Sequence, residues 1–105
     1  MSASVGQSVP EAIIHDLGYQ NIDDFLRVQV RHVLEQKINY YQSRIDFYQQ
    51  KYGMSIDEFH SRVVDQNDPV LSKFGVSEKE NDDFDWDDAI DFVRIYTADL
   101  RQIRP

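Results

Sequence analysis

Between residues 45 and 59 the chain reads IDFYQQKYGMSIDEF, and the fold turns on its centre, Lys51-Tyr52-Gly53-Met54-Ser55. Gly53 suits the left-handed C′ position that ends a helix, because it carries no Cβ to clash there, and Met54 suits the C″ contact that folds back on it. Ser55 with Glu58 spells a capping box, in which the serine oxygen and the glutamate carboxylate take up free N–H groups of a new helix. One helix therefore stops at Tyr52, and a second starts almost at once.

Upstream, Leu34, Ile38, Tyr41, Ile45, Tyr48 and Tyr52 follow one another at intervals of four, three, four, three and four residues, a heptad seam. Val30, Val33, Tyr40 and Phe47 widen the apolar surface, so this helix touches more than one neighbour. Asn21 can cap its start, with Asp23 and Asp24 in the positive first turn. The pattern predicts a long central helix over residues 21–52. The seam is short for a committed coiled coil and half of it is tyrosine, so it reads first as a packing face inside one domain. The alternative is self-association through the same residues into a homodimer or larger homo-oligomer, since tyrosine offers apolar area with a polar tip.

Downstream, Ile56, Phe59 and Val63 predict a short helix over 56–66. Asn67-Asp68-Pro69 breaks it, because proline cannot continue the hydrogen-bond ladder. Val70, Leu71 and Phe74 are too apolar for water and predict a loop tucked over the core. Trp86, Ile90, Val93, Tyr96 or Thr97, Leu100 and Ile103 form the stripe of a C-terminal helix over about 80–103, with Ser77 and Glu80, Asn81 or Asp83 as candidate starts. Before the long helix, Pro10 opens a short helical turn through Glu11–Leu17 within an N-terminal segment, 1–20, that is otherwise expected to be flexible. No strand-like alternation appears. The fold class is all-α, a small bundle or hairpin of about three helices, with residues 21–105 as a single helical domain.

The chain has 105 residues, no cysteine and a net charge of −8. Disulfides, thiolate metal sites and cysteine nucleophiles are thereby excluded. No apolar run approaches a membrane span, and MSASVGQSVPEA lacks the basic and apolar parts of an export signal, so a cytoplasmic protein away from membranes is expected.

Negative charge peaks between Glu78 and Asp91, EKENDDFDWDDAID, where eight carboxylates surround Phe84 and Trp86. Carboxylates at a helix start favour its dipole. Crowded together they also repel one another, which folding alone does not reward. The pattern points to a surface that docks on a basic protein, with Phe84 and Trp86 as anchors and Asp85, Asp87, Asp88 and Asp91 steering the encounter. The plainer reading is a solvated helix face. Asp83, Asp85 and Asp87 alternate like calcium ligands, yet Asp88 and Arg94 stand where that loop needs glycine and glutamate, so no metal is expected.

His15, His32 and His60 show no ligand or catalytic spacing, and no glycine-rich phosphate loop is present. Neither enzymatic activity nor a cofactor is expected. Nucleic acid is an improbable partner, since the helix–Gly–helix motif around Gly53 would place a net −2 segment, Ser55 to Gln66, against phosphates. Arg27, Arg31, Lys37, Arg44 and Lys51 offer a basic row, but Glu35 and Asp46 interrupt it.

The run from Ile45 to Phe59, followed by a broken loop and Asp83-Phe84-Asp85-Trp86-Asp87, resembles small bacterial helical antitoxin-like proteins in which a YxxKYGMS-type turn precedes an acidic, tryptophan-bearing segment. The resemblance spans about residues 34–103. It implies a protein that binds and neutralises a toxin, often a ribonuclease, whose basic RNA-binding surface would suit the carboxylates of 78–91. Residues 1–30 fall outside the pattern and carry no recognisable DNA-binding arm.

Overall fold

The computed structural model describes residues 8–105, so residues 1–7 of the expected N-terminal segment lie outside the described residues. Among the described residues four α-helices and one 3₁₀ turn follow one another: α1 Glu11–Asp16, α2 Ile22–Tyr52, α3 Ile56–Arg62, the turn Leu71–Lys73, and α4 Val76–Arg101. Among the described residues there is no strand, and no helix is long and apolar enough to cross a membrane. Helices α2 and α4 lie antiparallel, giving a molecule 65 × 28 × 20 Å in extent. At the closed end of this hairpin Lys51 reaches Asp82 (2.6 Å), and at the open end Arg31 donates to the Ile103 carbonyl (2.7 Å).

The long helix begins and ends where its caps dictate. The Asn21 side chain accepts from the Asp24 N–H (2.8 Å), and Gly53, at φ 69°, closes the C-terminus by donating to the Gln49 carbonyl (2.8 Å). Only half of the expected capping box forms at α3. The Ser55 oxygen accepts from the Glu58 N–H (3.2 Å), but the Glu58 carboxylate pairs with Arg62 (2.8 Å) instead.

Three boundaries differ from the sequence reading, each for a visible reason. The helix expected over 56–66 stops at Arg62, because Asp68 captures the chain beyond it. That carboxylate, only 5% exposed, accepts from the Val70 and Leu71 N–H groups (3.0 and 2.9 Å) and from two N–H groups of Arg62 (2.8 and 3.1 Å). The resulting turn seats Leu71 in the core, as the apolar loop predicted. The last helix starts at Val76 rather than near 80, since Glu78 reaches back to the Gly75 N–H (3.4 Å) and across to Lys51 (2.7 Å). Among the described residues the helices number four rather than about three, because the short turn after Pro10 forms as α1. Its Ile14 is 1% exposed, and Tyr19 packs edge-on against Phe25 of α2 at 5.2 Å.

The core is aromatic. Trp86 is fully buried, with ring centroids of Tyr48, Tyr52 and Phe59 at 5.8, 6.1 and 5.4 Å, and Phe74 meets Tyr52 edge-on at 4.8 Å. Further along the hairpin Tyr41 stacks on Phe92 at 4.7 Å. The heptad seam is thus the interior face of α2, with Ile45, Tyr48 and Tyr52 buried and Leu34, Ile38 and Tyr41 half-buried. Helix α4 covers the closed-end half of these six residues and leaves Leu34, Ile38 and Tyr41 half-buried.

Candidate functional site

Helix α4 sorts the acidic stretch into two faces. On the inner face Asp85 accepts from the Tyr48 hydroxyl (2.6 Å) and from Arg44 Nη2 (3.0 Å). One turn earlier Asp82 accepts from the Tyr52 hydroxyl (2.6 Å) and from Lys51 Nζ (2.6 Å). These are two copies of one device, a buried tyrosine hydroxyl and a cation sharing a carboxylate. The repeat follows from geometry, since Tyr48 and Tyr52 are four apart on α2 while Asp85 and Asp82 are three apart on an antiparallel helix.

Charge states follow the contacts. The Tyr48 hydroxyl and then the Arg44 guanidinium hold the Asp85 carboxyl below its ordinary value, and Lys51 does the same to Glu78. Burial, reinforced by the adjacent carboxylates, pushes the Tyr48 and Tyr52 hydroxyls up, so both stay protonated as donors. Hydrogen bonds to Asp82 and Glu78 raise Lys51. The carboxylates of this face hold the hairpin together.

The outer face is different. Phe84 is 70% exposed, and Glu80, Asp87 and Asp88 lie one helical turn to either side of it. Asp91 stands one turn beyond on the same side, paired only with exposed Arg94 at 3.2 Å. Among the described residues Glu80, Asp87 and Asp88 make no side-chain hydrogen bond or ion pair. The six residues expected to form a docking surface therefore separate: Phe84, Asp87, Asp88 and Asp91 share the outer face, and two do not. Trp86 is a core residue and no anchor, because its position two residues after Phe84 turns it about 200° around the helix, into the hairpin. Asp85, although part-exposed, is engaged with Tyr48 and Arg44.

Beside this face lies a half-open cleft of about 640 Å³ between α3, the 3₁₀ turn and the start of α4. Phe59, Val63, Phe74 and Val76 give it an apolar lining, and Lys79, Glu80 and Asp83 charge its rim. At its edge His60 Nε2 meets Asp83 Oδ1 at 2.6 Å, and Asp87 brings a third donor, all within 4.8 Å of one another. One imidazole and two carboxylates are a donor set suited to a divalent cation. Asp85 lies on the other side of the helix, so the alternating trio Asp83, Asp85 and Asp87 is no ligand set. Sequence reasoning missed His60: the i, i+4 spacing of Asp83 and Asp87 was legible, but not which residue the Asp68 turn would bring beside them. The remaining histidines, His15 and His32, sit exposed and apart from this cluster.

Compared with protein-family models, with curated proteins and with solved structures, the chain matches none.

Proposed function

We propose that the chain is a non-catalytic protein-binding module, antitoxin-like, that captures a basic protein on the outer face of α4. The observation that carries this reading is Phe84, a large apolar ring left 70% exposed amid carboxylates that the fold does not use. A monomer gains nothing from that arrangement. A basic partner covers the ring, places ammonium or guanidinium groups over its face, and pairs the carboxylates around it. From Glu80 to Asp91 the acidic row spans about 16 Å at 1.5 Å per residue, long enough to engage several cations of one surface. The adjoining cleft, with Val64 and Val76 exposed at 80% and 70%, offers a place for an apolar side chain of the same partner.

A cytoplasmic ribonuclease toxin is the partner class that fits best, because a surface built for RNA phosphates is basic and flat enough for a row of carboxylates. The resemblance of the Ile45–Phe59 turn to antitoxin-like proteins supports the same class. The test is capture from native lysate at low and moderate salt, comparing wild type with Phe84→Ala combined with Asp87→Asn, Asp88→Asn and Asp91→Asn. A control carries amides at Asp23, Asp46 and Asp57, which changes net charge by the same amount elsewhere. A basic protein held by wild type and control but released by the face variant supports the proposal. Equal capture by all three refutes it.

A further inference from the structure

We infer that the hairpin pairs with a second copy of itself, antiparallel, through a stripe on α2 that lies beside the interior seam. Leu26, Val30, Val33, Tyr40 and Phe47 are exposed at 42, 43, 49, 58 and 49%. With Lys37 and Arg44 between them they repeat at intervals of four and three, as the interior seam does. From Val33 to Phe47 each stripe position immediately precedes a residue of that seam, and one residue is a rotation of 100° about a helix. Helix α2 therefore carries two adjacent seams. One is covered by α4; the other is bare. A helix with two seams about a right angle apart is what a four-helix bundle requires of each member, and one hairpin is half of such a bundle.

Three features name the occupant as a second copy, and the direction as antiparallel. Charge is segregated: residues 53–91, at the closed end, carry twelve carboxylates against three cations, net −9, which leaves +1 for the rest of the chain. Parallel pairing would bring two strongly acidic ends within a Debye length of one another, whereas antiparallel pairing sets each against the near-neutral end of its partner. Side-chain size is graded along the stripe, from Leu26, Val30 and Val33 to Tyr40 and Phe47. An antiparallel twofold centred near Lys37 places Leu26 opposite Phe47 and Val33 opposite Tyr40, small against large, a self-complementary surface. The groove is also bordered by apolar groups that the hairpin supplies, Ile103 beside Leu26 and Val30, and Tyr41 beside Val33 and Tyr40. Lys37 and Arg44 interrupt the stripe, but their aliphatic stems cover apolar area; the Lys37 head reaches water, and the Arg44 guanidinium is held by Asp85 and Tyr48 and lies over the Phe47 ring.

This surface is separate from the Phe84 face, so either can fail without the other. The test is sedimentation of the full chain over a concentration range, with cross-linking for direction. Wild type should approach twice 12.4 kDa at high micromolar concentration and keep doing so in high salt. Val33→Asp and Tyr40→Asp should each weaken the dimer at least about tenfold, because a carboxylate would be buried without a partner. Both sites are exposed in one copy, so circular dichroism should show the fold retained. The chain has no cysteine, so Leu26→Cys and Phe47→Cys can be mixed cleanly. A disulfide should join one variant to the other, and neither variant should cross-link to itself. A monomer at every concentration, a dimer indifferent to both aspartates, or self-cross-linking of either variant would overturn the inference.

Discussion

Truncating Trp86 to alanine should cost a large share of the stability of this protein. The indole is fully buried and lies within 6.1 Å of the ring centroids of Tyr48, Tyr52 and Phe59. Large-to-small changes of this kind cost about 3–5 kcal/mol, and each aromatic pair adds about 0.5–1.5 kcal/mol beyond its buried area. One term opposes them. Among the described residues the buried Trp86 Nε1 finds no hydrogen-bond partner, a desolvation cost of about 1–3 kcal/mol that alanine removes. The three ring pairs and the orphan N–H roughly offset one another, so the net loss should stay at about 3–5 kcal/mol, out of the 5–15 kcal/mol typical of a small domain. Trp86→Phe separates the two terms, since it keeps a ring in the core and deletes the orphan N–H, and it should cost less than half as much. The assay is urea unfolding followed by far-ultraviolet circular dichroism, because Trp86 is the sole tryptophan and its fluorescence disappears with it. An alanine variant within about 0.5 kcal/mol of wild type, as a surface anchor would give, refutes the placement of Trp86 in the core.

The two tyrosine–carboxylate clamps should differ in value. Tyr52→Phe deletes a donor to Asp82, whose side chain is 16% exposed, and should cost about 1.5–3 kcal/mol, as bonds to buried charges do. Tyr48→Phe should cost less, because Asp85 is 49% exposed and keeps Arg44; the reverse order in thermal or urea unfolding would contradict the geometry. Asp24, Asp68, Glu78 and Asp85 are all held below their ordinary values of 3.8 or 4.5, so the unfolded chain binds more protons than the folded one on acidification. Their stabilisation is complete above about pH 5 and is lost as pH falls through the depressed folded values. A urea midpoint at pH 3 equal to or above that at pH 6 would show the sign to be wrong. Gly53→Ala meets no atom within 4 Å, so its cost is the left-handed backbone alone, about 1–2 kcal/mol in thermal unfolding. A larger loss would mean that the turn is packed rather than open.

Features set by neighbouring residues were legible in the sequence, and those set by distant ones were not. The stop at Gly53, the cap at Asn21 and the burial of Leu71 each depend on local chemistry that the residue types declare. Spacing alone also assigned the seam from Leu34 to Tyr52 to packing. Asp68 escaped notice because Asn67-Asp68-Pro69 reads as a break, while its role is to receive four N–H groups. Its aspartate, three residues before Leu71, was an available capping signal. At the candidate site the density of carboxylates was plain, but density carries no direction. The stripe that Trp86 shares with Ile90 and Val93 already turned Trp86 inward and left Phe84 outside it. Grouping both rings as anchors followed the density of carboxylates around them instead of that stripe. The bare stripe beside the seam was visible as widening apolar surface, yet only the position of α4 shows which of the two seams is covered.

Hydroxyl-radical footprinting addresses the Phe84 face most directly, first on the free protein and then with the captured basic partner. In the free protein Phe84 should oxidise readily while Trp86 stays protected, although an indole is intrinsically the more reactive ring. On addition of the partner Phe84 should become protected and Trp86 should not change. Rapid oxidation of Trp86 in the free protein, or a Phe84 signal indifferent to the partner, would contradict a docking face built on the outer side of α4.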